Sequence, residues 1–263
     1  MKTLKLACAA LLAAVSAQAA AIGSLADVTV FDRSQGRQLP VHWHEGRAYV
    51  VGHPGNEYAV RVRSRNREEV LAVVSVDGVN VISGETATPQ QSGYVLSPWR
   101  LLDIGGWRKN LASTAAFYFT SLPDSYAART GRPDHVGVIG VALFRKKQPP
   151  VEIGQIAPQA PARSEASRDS AAAGPSASAP RAAERDDKLG TGHGRTETSH
   201  ARTVGFERAS SDPAETVIIY YDSTRNLAAR GIVREPVAPC AFPCSPRVPQ
   251  PHPFPGFVPD PPA

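Results

Sequence analysis

The chain has 263 residues, 42% of them hydrophobic but only 7% aromatic, so it can build one sizeable core from Val, Leu, Ile and Ala. Gly and Pro together number 45, with the prolines gathered late, which places part of the chain outside any packed core. The net charge of +5 falls to +3 without Lys2 and Lys5, a mild balance that speaks to solubility and weak steering and names no ligand.

Met1-Lys2-Thr3-Leu4-Lys5 is a positive leader, Leu6 to Val15 a short apolar run, and Ala17-Gln18-Ala19 a small-x-small cleavage site. The run is too short to span a bilayer, which takes roughly 20 residues. The pattern predicts a signal peptide over residues 1–19, cleaved after Ala19, and a periplasmic or secreted mature protein with no transmembrane helix. Two cysteines then remain, Cys240 and Cys244. In an oxidising compartment their C-x3-C spacing predicts a local disulfide.

Strands follow in short units. VTVF within Ile22–Phe31 is the first. QLPVHWH (Gln38–His44) and RAYVV (Arg47–Val51) flank Glu45-Gly46 as a hairpin. Glu57–Gly84 reads as a three-stranded meander of Tyr58–Arg63, Val70–Val76 and Val79–Ser83. A charged turn joins the first pair and Asp77-Gly78 the second. VLAVVSV is apolar at nearly every position, which predicts an interior strand. Strands follow at Gly93–Ser97 (ended by Pro98), Leu101–Trp107, Ala115–Thr120 and Val136–Phe144, with Gly105-Gly106 marking a bulge or close backbone approach. Ser125–Arg129 is a helical turn or loop. About nine such strands with no long helix predict an all-β sandwich or jelly roll over residues 20–147.

Residues 148–187 are rich in Ala, Pro and Ser and read as a disordered linker. Residues 188–235 resume order: an edge strand over Thr196–Arg208, a strong strand over Thr216–Tyr221, and a short helix capped by Ser223 and ended by Gly231. Two strands and a helical turn cannot bury a core alone, so this segment is expected to complete the sandwich by extending one sheet. Residues 236–263 hold 11 prolines and read as an extended tail with polyproline II character.

Arg61, Arg63, Arg65 and Arg67 recur at period two, a candidate anion-binding stripe for lipid, lipopolysaccharide or surface polymer. Glu57, Glu68 and Glu69 are near enough to neutralise part of it. The absence of interleaved aromatics argues against nucleic acid as a partner. His42 and His44 flank Trp43, project from one strand face, and suit two ligands of a metal site, with His53 the nearest third. The glycine run Gly190–Gly194 lacks the strand before and helix after that a phosphate loop needs, and reads as flexible re-entry into the fold. G-x-S-x-G, H-E-x-x-H and S-x-x-K are all absent from the sequence. Asp77, Asp103, Asp124 and Asp134 all suit turns and form no evident pair. Trp99-Arg100 and Trp107-Arg108, eight apart, suit stacking on a sugar or peptide, or covering the rim of the core.

The run GYVLSPW…IGGWRK…AAFYFT…SYAARTGRP…VGVIGVALFRK, with VSVDGVNVISG before it and GTGHG…FERAS…YYDS…NLAARGI after it, resembles a family of exported bacterial proteins of uncharacterised function. The resemblance covers about Leu39–Ile232 apart from the linker. It implies that both ordered segments form one recurring unit, and it brings no activity, ligand or site residue. The sequence therefore predicts an exported envelope protein, without cofactor and not an enzyme, acting as a binding or structural accessory module on envelope proteins or anionic surface polymers. Two alternatives stand beside it: a metal-dependent enzyme on a cupin-like scaffold through His42 and His44, and adhesion through the arginine stripe.

Overall fold

The computed structural model describes residues 22–148 and 188–234. The expected signal peptide and cleavage site, the linker expected beyond Gln148, the proline-rich segment and the expected Cys240–Cys244 disulfide all fall outside the described residues.

The described chain opens with β1 (Ala26–Asp32), β2 (Arg37–Gln38), β3 (His42–His44), β4 (Arg47–Val51), β5 (Glu57–Ser64), β6 (Val70–Val76) and β7 (Val79–Asn80). β8 (Tyr94–Leu96), β9 (Leu101–Ile104), β10 (Gly106–Asn110) and β11 (Ser113–Ser121) lead to the helical turn α1 (Tyr126–Arg129), capped by Ser125, and to β12 (Val138–Arg145). After the linker come β13 (Leu189–Thr198), β14 (Glu215–Asp222) and α2 (Thr224–Ala229), whose Ser223 side chain accepts from the Asn226 N–H.

These strands form two seven-stranded sheets, an all-β sandwich. The first follows the order β10-β11-β5-β1-β2, with β13 on β11 and β9 on β5. The second runs β3-β4-β14-β12-β6-β7, with β8 on β6. The core lies between them. Val28, Val30, Tyr58, Val60, Phe117 and Phe119 face it from the first sheet; Val74, Ile139, Val141, Val217, Ile219 and Tyr221 face it from the second. The alternation of these positions along each strand is the period-two signature of a half-buried sheet. Glu45-Gly46 and Asp77-Gly78 both have positive φ at both residues (49° and 72°, 51° and 71°), the mirror-image turns that suit the right-handed twist of a hairpin.

Three expectations need correction. The meander is split: β5 pairs β1 along its whole length in the first sheet, whereas β6 pairs β12 in the second. The charged link Arg65–Glu69 therefore crosses between layers about 10 Å apart, and five residues suffice for that. Second, the strand placed at Thr196–Arg208 is β13, seven residues earlier at its start. The glycine run is part of that strand, and Gly190 and Gly192 are buried. Its glycines serve close packing: a side chain on Gly192 would run into the Tyr118 ring at 2.2 Å, and one on Gly190 into Ser125 at 2.6 Å. Third, residues 188–234 extend no single sheet. β13 joins the first sheet, while β14 inserts into the second between β12 (antiparallel) and β4 (parallel).

Residues 199–208, expected to continue a strand, form a strap across one rim. Near its start Ser199 and Ala201 donate to the Ala112 and Leu111 carbonyls; near its end Lys147 donates to Glu207, and Ala209 to Arg145. Phe206 covers a small outer cluster of Leu71, Val73, Ala142 and Phe144 on the second sheet. A cleft of about 610 Å³ opens beside the strap, and Arg108 crosses it to reach Tyr94 Oη and the Ser199 carbonyl.

Candidate functional site

A polar chain links the two sheets through the core. The Asp77 carboxylate accepts from Tyr221 Oη at 2.5 Å and the Gly137 N–H at 2.9 Å through one oxygen, and from the Thr191 N–H at 2.8 Å through the other. Thr191 Oγ1 lies 2.7 Å from Tyr221 Oη and 2.5 Å from Tyr58 Oη. All four residues are buried. Burial pushes the Asp77 carboxyl up to about 6, while the donors from Tyr221, Gly137 and Thr191 pull it partway back. Burial, and then the Asp77 charge, push both tyrosines well above the ordinary phenol range. A perturbed acid often marks an active site. This one is sealed between layers, Tyr58 stacked on Phe119 at 4.3 Å, so its role is to join the sheets.

The second surface is open. Outward positions on the second sheet form two rows: Ser75, Gly140, Ile218 and Arg47 in one, and Val138, Tyr220, Tyr49 and His42 in the next. Because Gly140 has no side chain, the sheet face dips there into a basin of about 640 Å³. Ile218, 45% exposed, forms part of its floor. At one end Tyr49 and Tyr220 lie 5.4 Å apart; Arg47 sits 5.8 Å from the Tyr220 ring centre and Arg230 5.2 Å from that of Tyr49. Arg230 also donates to Tyr49 Oη at 3.2 Å. Helix α2 delivers Arg230: Ser223 caps it, Leu227 anchors it in the core and Gly231 (φ 71°) closes it. Neither Arg47 nor Arg230 has a carboxylate within ion-pair distance among the described residues. Lys188 adds a third cation at the rim. Two acids, Asp134 and Asp222, also line the basin; Asp222 is committed to the N–H groups of Leu189 and Ser223 and to the Asn226 amide.

The sequence-singled residues distribute unevenly. His42 and His44 do share a face, with His44 edge-on to Tyr49, but among the described residues no group of three or more His, Cys, Asp or Glu gathers as a metal site. Arg61 and Arg63 share the outer face of β5, whereas Arg65 and Arg67 lie in the link. Asp103 pairs with Arg61 at 3.0 Å and Asp27 with Arg65 at 3.1 Å. The stripe is thus half neutralised by acids from β9 and β1. Nearby, Arg33, Glu57, Arg195 and Glu197 form an alternating quartet, with Arg33 bidentate on Glu197 and Arg195 bidentate on Glu57. Trp107 is buried, its Nε1 donating to the Gly192 carbonyl at 3.4 Å, so the two Trp-Arg pairs do not converge.

Sequence reading missed the basin. Arg47, Tyr49, Tyr220 and Arg230 are about 180 residues apart at the extremes, and only the insertion of β14 beside β4 gathers them. The local trace was the outward register of TVIIYY, which places Ile218 and Tyr220 opposite the core-facing Ile219. No helix among the described residues is long and apolar enough to cross a membrane. No family model, curated protein or solved structure matches this chain.

Proposed function

We propose that the chain is an exported envelope protein that works by binding rather than by catalysis, and that its ligand is an acidic polysaccharide held in the basin of the second sheet. One observation carries the reading: two arginines with no carboxylate in ion-pair distance among the described residues, each held against a tyrosine ring beside an uncovered hollow. Arginine forks match carboxylates, and a half-buried Tyr220 with Ile218 offers the apolar patch that sugar ring faces need. The leader Met1–Ala19 supports export, and the resemblance of Leu39–Ile232 to exported bacterial proteins agrees with it. That the one strongly shifted acid among the described residues is sealed from solvent supports binding over chemistry. This places polysaccharide binding on the second sheet and not on the arginine stripe of the first.

Calorimetric titration of the full chain with oligogalacturonate and with neutral dextran tests the reading. The acidic oligomer binds, the neutral one does not, and affinity falls with salt. Arg47→Ser/Arg230→Ser weakens binding at least about ten-fold, while Arg61→Ser/Arg63→Ser leaves it unchanged. Equal binding of dextran, or full binding by the Arg47/Arg230 variant, overturns it.

A further inference from the structure

A second surface stands out at the other end of the sandwich. Ser97-Pro98-Trp99-Arg100 is a turn closed by the Arg100 N–H donating to the Ser97 carbonyl at 3.2 Å. Pro98 holds the second position, and Trp99 the third with φ of 60°. That position ordinarily takes Gly or Asn, because a side chain in the left-handed region is strained. Trp99 is 58% exposed, so no burial offsets the strain. Strain held at a largely exposed aromatic points to a functional position.

Its neighbours are apolar and basic. Leu101, 42% exposed, pairs with Arg63 across β9 and β5. The Arg100 carbonyl accepts from the Ser64 N–H at 2.9 Å, which sets this turn beside the link carrying Arg67. Arg63, Arg67 and Arg100 have no ion pair among the described residues; Arg65 is answered by Asp27, and Glu69 by Lys146. Glu68, exposed in the same link, offsets one charge. We propose that this end docks on a membrane surface bearing anionic phospholipid. Trp99 and Leu101 sit at headgroup level, and the three arginines lie against lipid phosphates. A soluble polyanion would require the cations alone; the exposed indole and leucine fit the interface of a bilayer. β6 runs from the link at Val70 to Val76 beside the Asp77-Gly78 turn, and Gly78 lines the basin. The two surfaces therefore lie about 20 Å apart along the sheet, and both can be occupied at once.

Co-sedimentation of the full chain with vesicles tests this, using phosphatidylcholine alone and phosphatidylcholine containing one-quarter phosphatidylglycerol. The protein sediments only with the anionic vesicles. Arg63→Ser/Arg100→Ser weakens binding about 25-fold, roughly five-fold for each arginine. Trp99→Gly loses most of the binding, while its thermal midpoint stays equal to that of the parent or rises, since glycine accepts the turn without strain. Arg47→Ser/Arg230→Ser binds vesicles as the parent does. Absent binding to anionic vesicles overturns the proposal. So does full binding by both tip variants, which would assign it to the apolar run at Leu6–Val15. So does heparin binding that Trp99→Gly leaves intact while vesicles are ignored, which would assign the arginines to a soluble polyanion.

Discussion

Replacing Tyr221 by Phe removes one hydroxyl and leaves the ring in the core. In the fold that hydroxyl donates to Asp77 at 2.5 Å and lies 2.7 Å from Thr191 Oγ1. Asp77 keeps its backbone donors but loses the side-chain one, so its buried charge is less well compensated. A hydrogen bond to a charged group contributes about 1.5–3 kcal/mol and one to a neutral group about 0.5–1.5 kcal/mol. The cost of the substitution therefore depends on whether Asp77 is ionised. Its carboxyl holds a proton up to about pH 6 in the fold, against an ordinary value near 4 when unfolded. Folding takes up a proton between those two values. The associated stability, about 3 kcal/mol, is fully present below about pH 4 and is lost as pH rises through 6. Tyr221→Phe raises the folded value further and deepens that loss. Urea unfolding followed by the fluorescence of Trp107, which packs edge-on to Phe117, reads the stability. The substitution should cost about 2 kcal/mol near pH 7.5 and about 1 kcal/mol or less near pH 4.5. An equal cost at both values, or a larger one in acid, refutes the assignment of Asp77 as the charged centre of the tie.

Other consequences are as definite. Asp77→Asn removes the titration and flattens the dependence of the thermal midpoint on pH between about 4 and 6; it also sets an amide donor against an N–H donor, costing about 1–3 kcal/mol. Gly106→Ala places a methyl 2.1 Å from the Ala115 carbonyl oxygen, backbone that cannot give way without parting β10 from β11, so chemical denaturation should show a loss above about 2 kcal/mol. Phe206→Ala uncovers Leu71, Val73, Ala142 and Phe144, costs about 1–2 kcal/mol, and should speed proteolytic cleavage within residues 202–206, where the strap makes no backbone hydrogen bond among the described residues. Gly140→Leu fills the basin and should abolish binding of the acidic oligomer, read by the same titration, at the cost of displacing Ser75 Oγ 2.8 Å away.

The parts legible in the sequence are those decided locally. Glu45-Gly46 and Asp77-Gly78 declare their hairpins because both residues of such a turn need positive φ. Ser223 and Gly231 bracket α2 because caps act within one turn. The apolar run of VLAVVSV placed β6 inside its sheet, where β12 and β8 flank it and Phe206 covers part of its outer face. What the sequence concealed is non-local. Nothing near Arg65–Glu69 says whether a charged turn closes a hairpin or crosses between layers; the partners of β5 and β6 decide that, and they come from β1 and β12. The glycines at 190, 192 and 194 look like a loop because glycine weakens strands, and only the Tyr118 ring, Ser125 and the Ala116 carbonyl explain them. Asp77 is a turn residue, as its pairing with Gly78 signals, yet it is also the buried acid of the core, a second role created by Thr191 and Tyr221 more than a hundred residues away. Arg61 and Arg63 share a face as their spacing says, but Asp103 and Asp27 arrive from other strands to neutralise Arg61 and the neighbouring Arg65.

Hydrogen–deuterium exchange of the full chain, with and without saturating oligogalacturonate, addresses the binding face most directly. Protection should rise in 47–51, 215–222 and the helix carrying Arg230, and stay unchanged across 57–64 on the opposite sheet. Protection centred on Arg61 and Arg63, with β4 and β14 unaffected, would contradict the account.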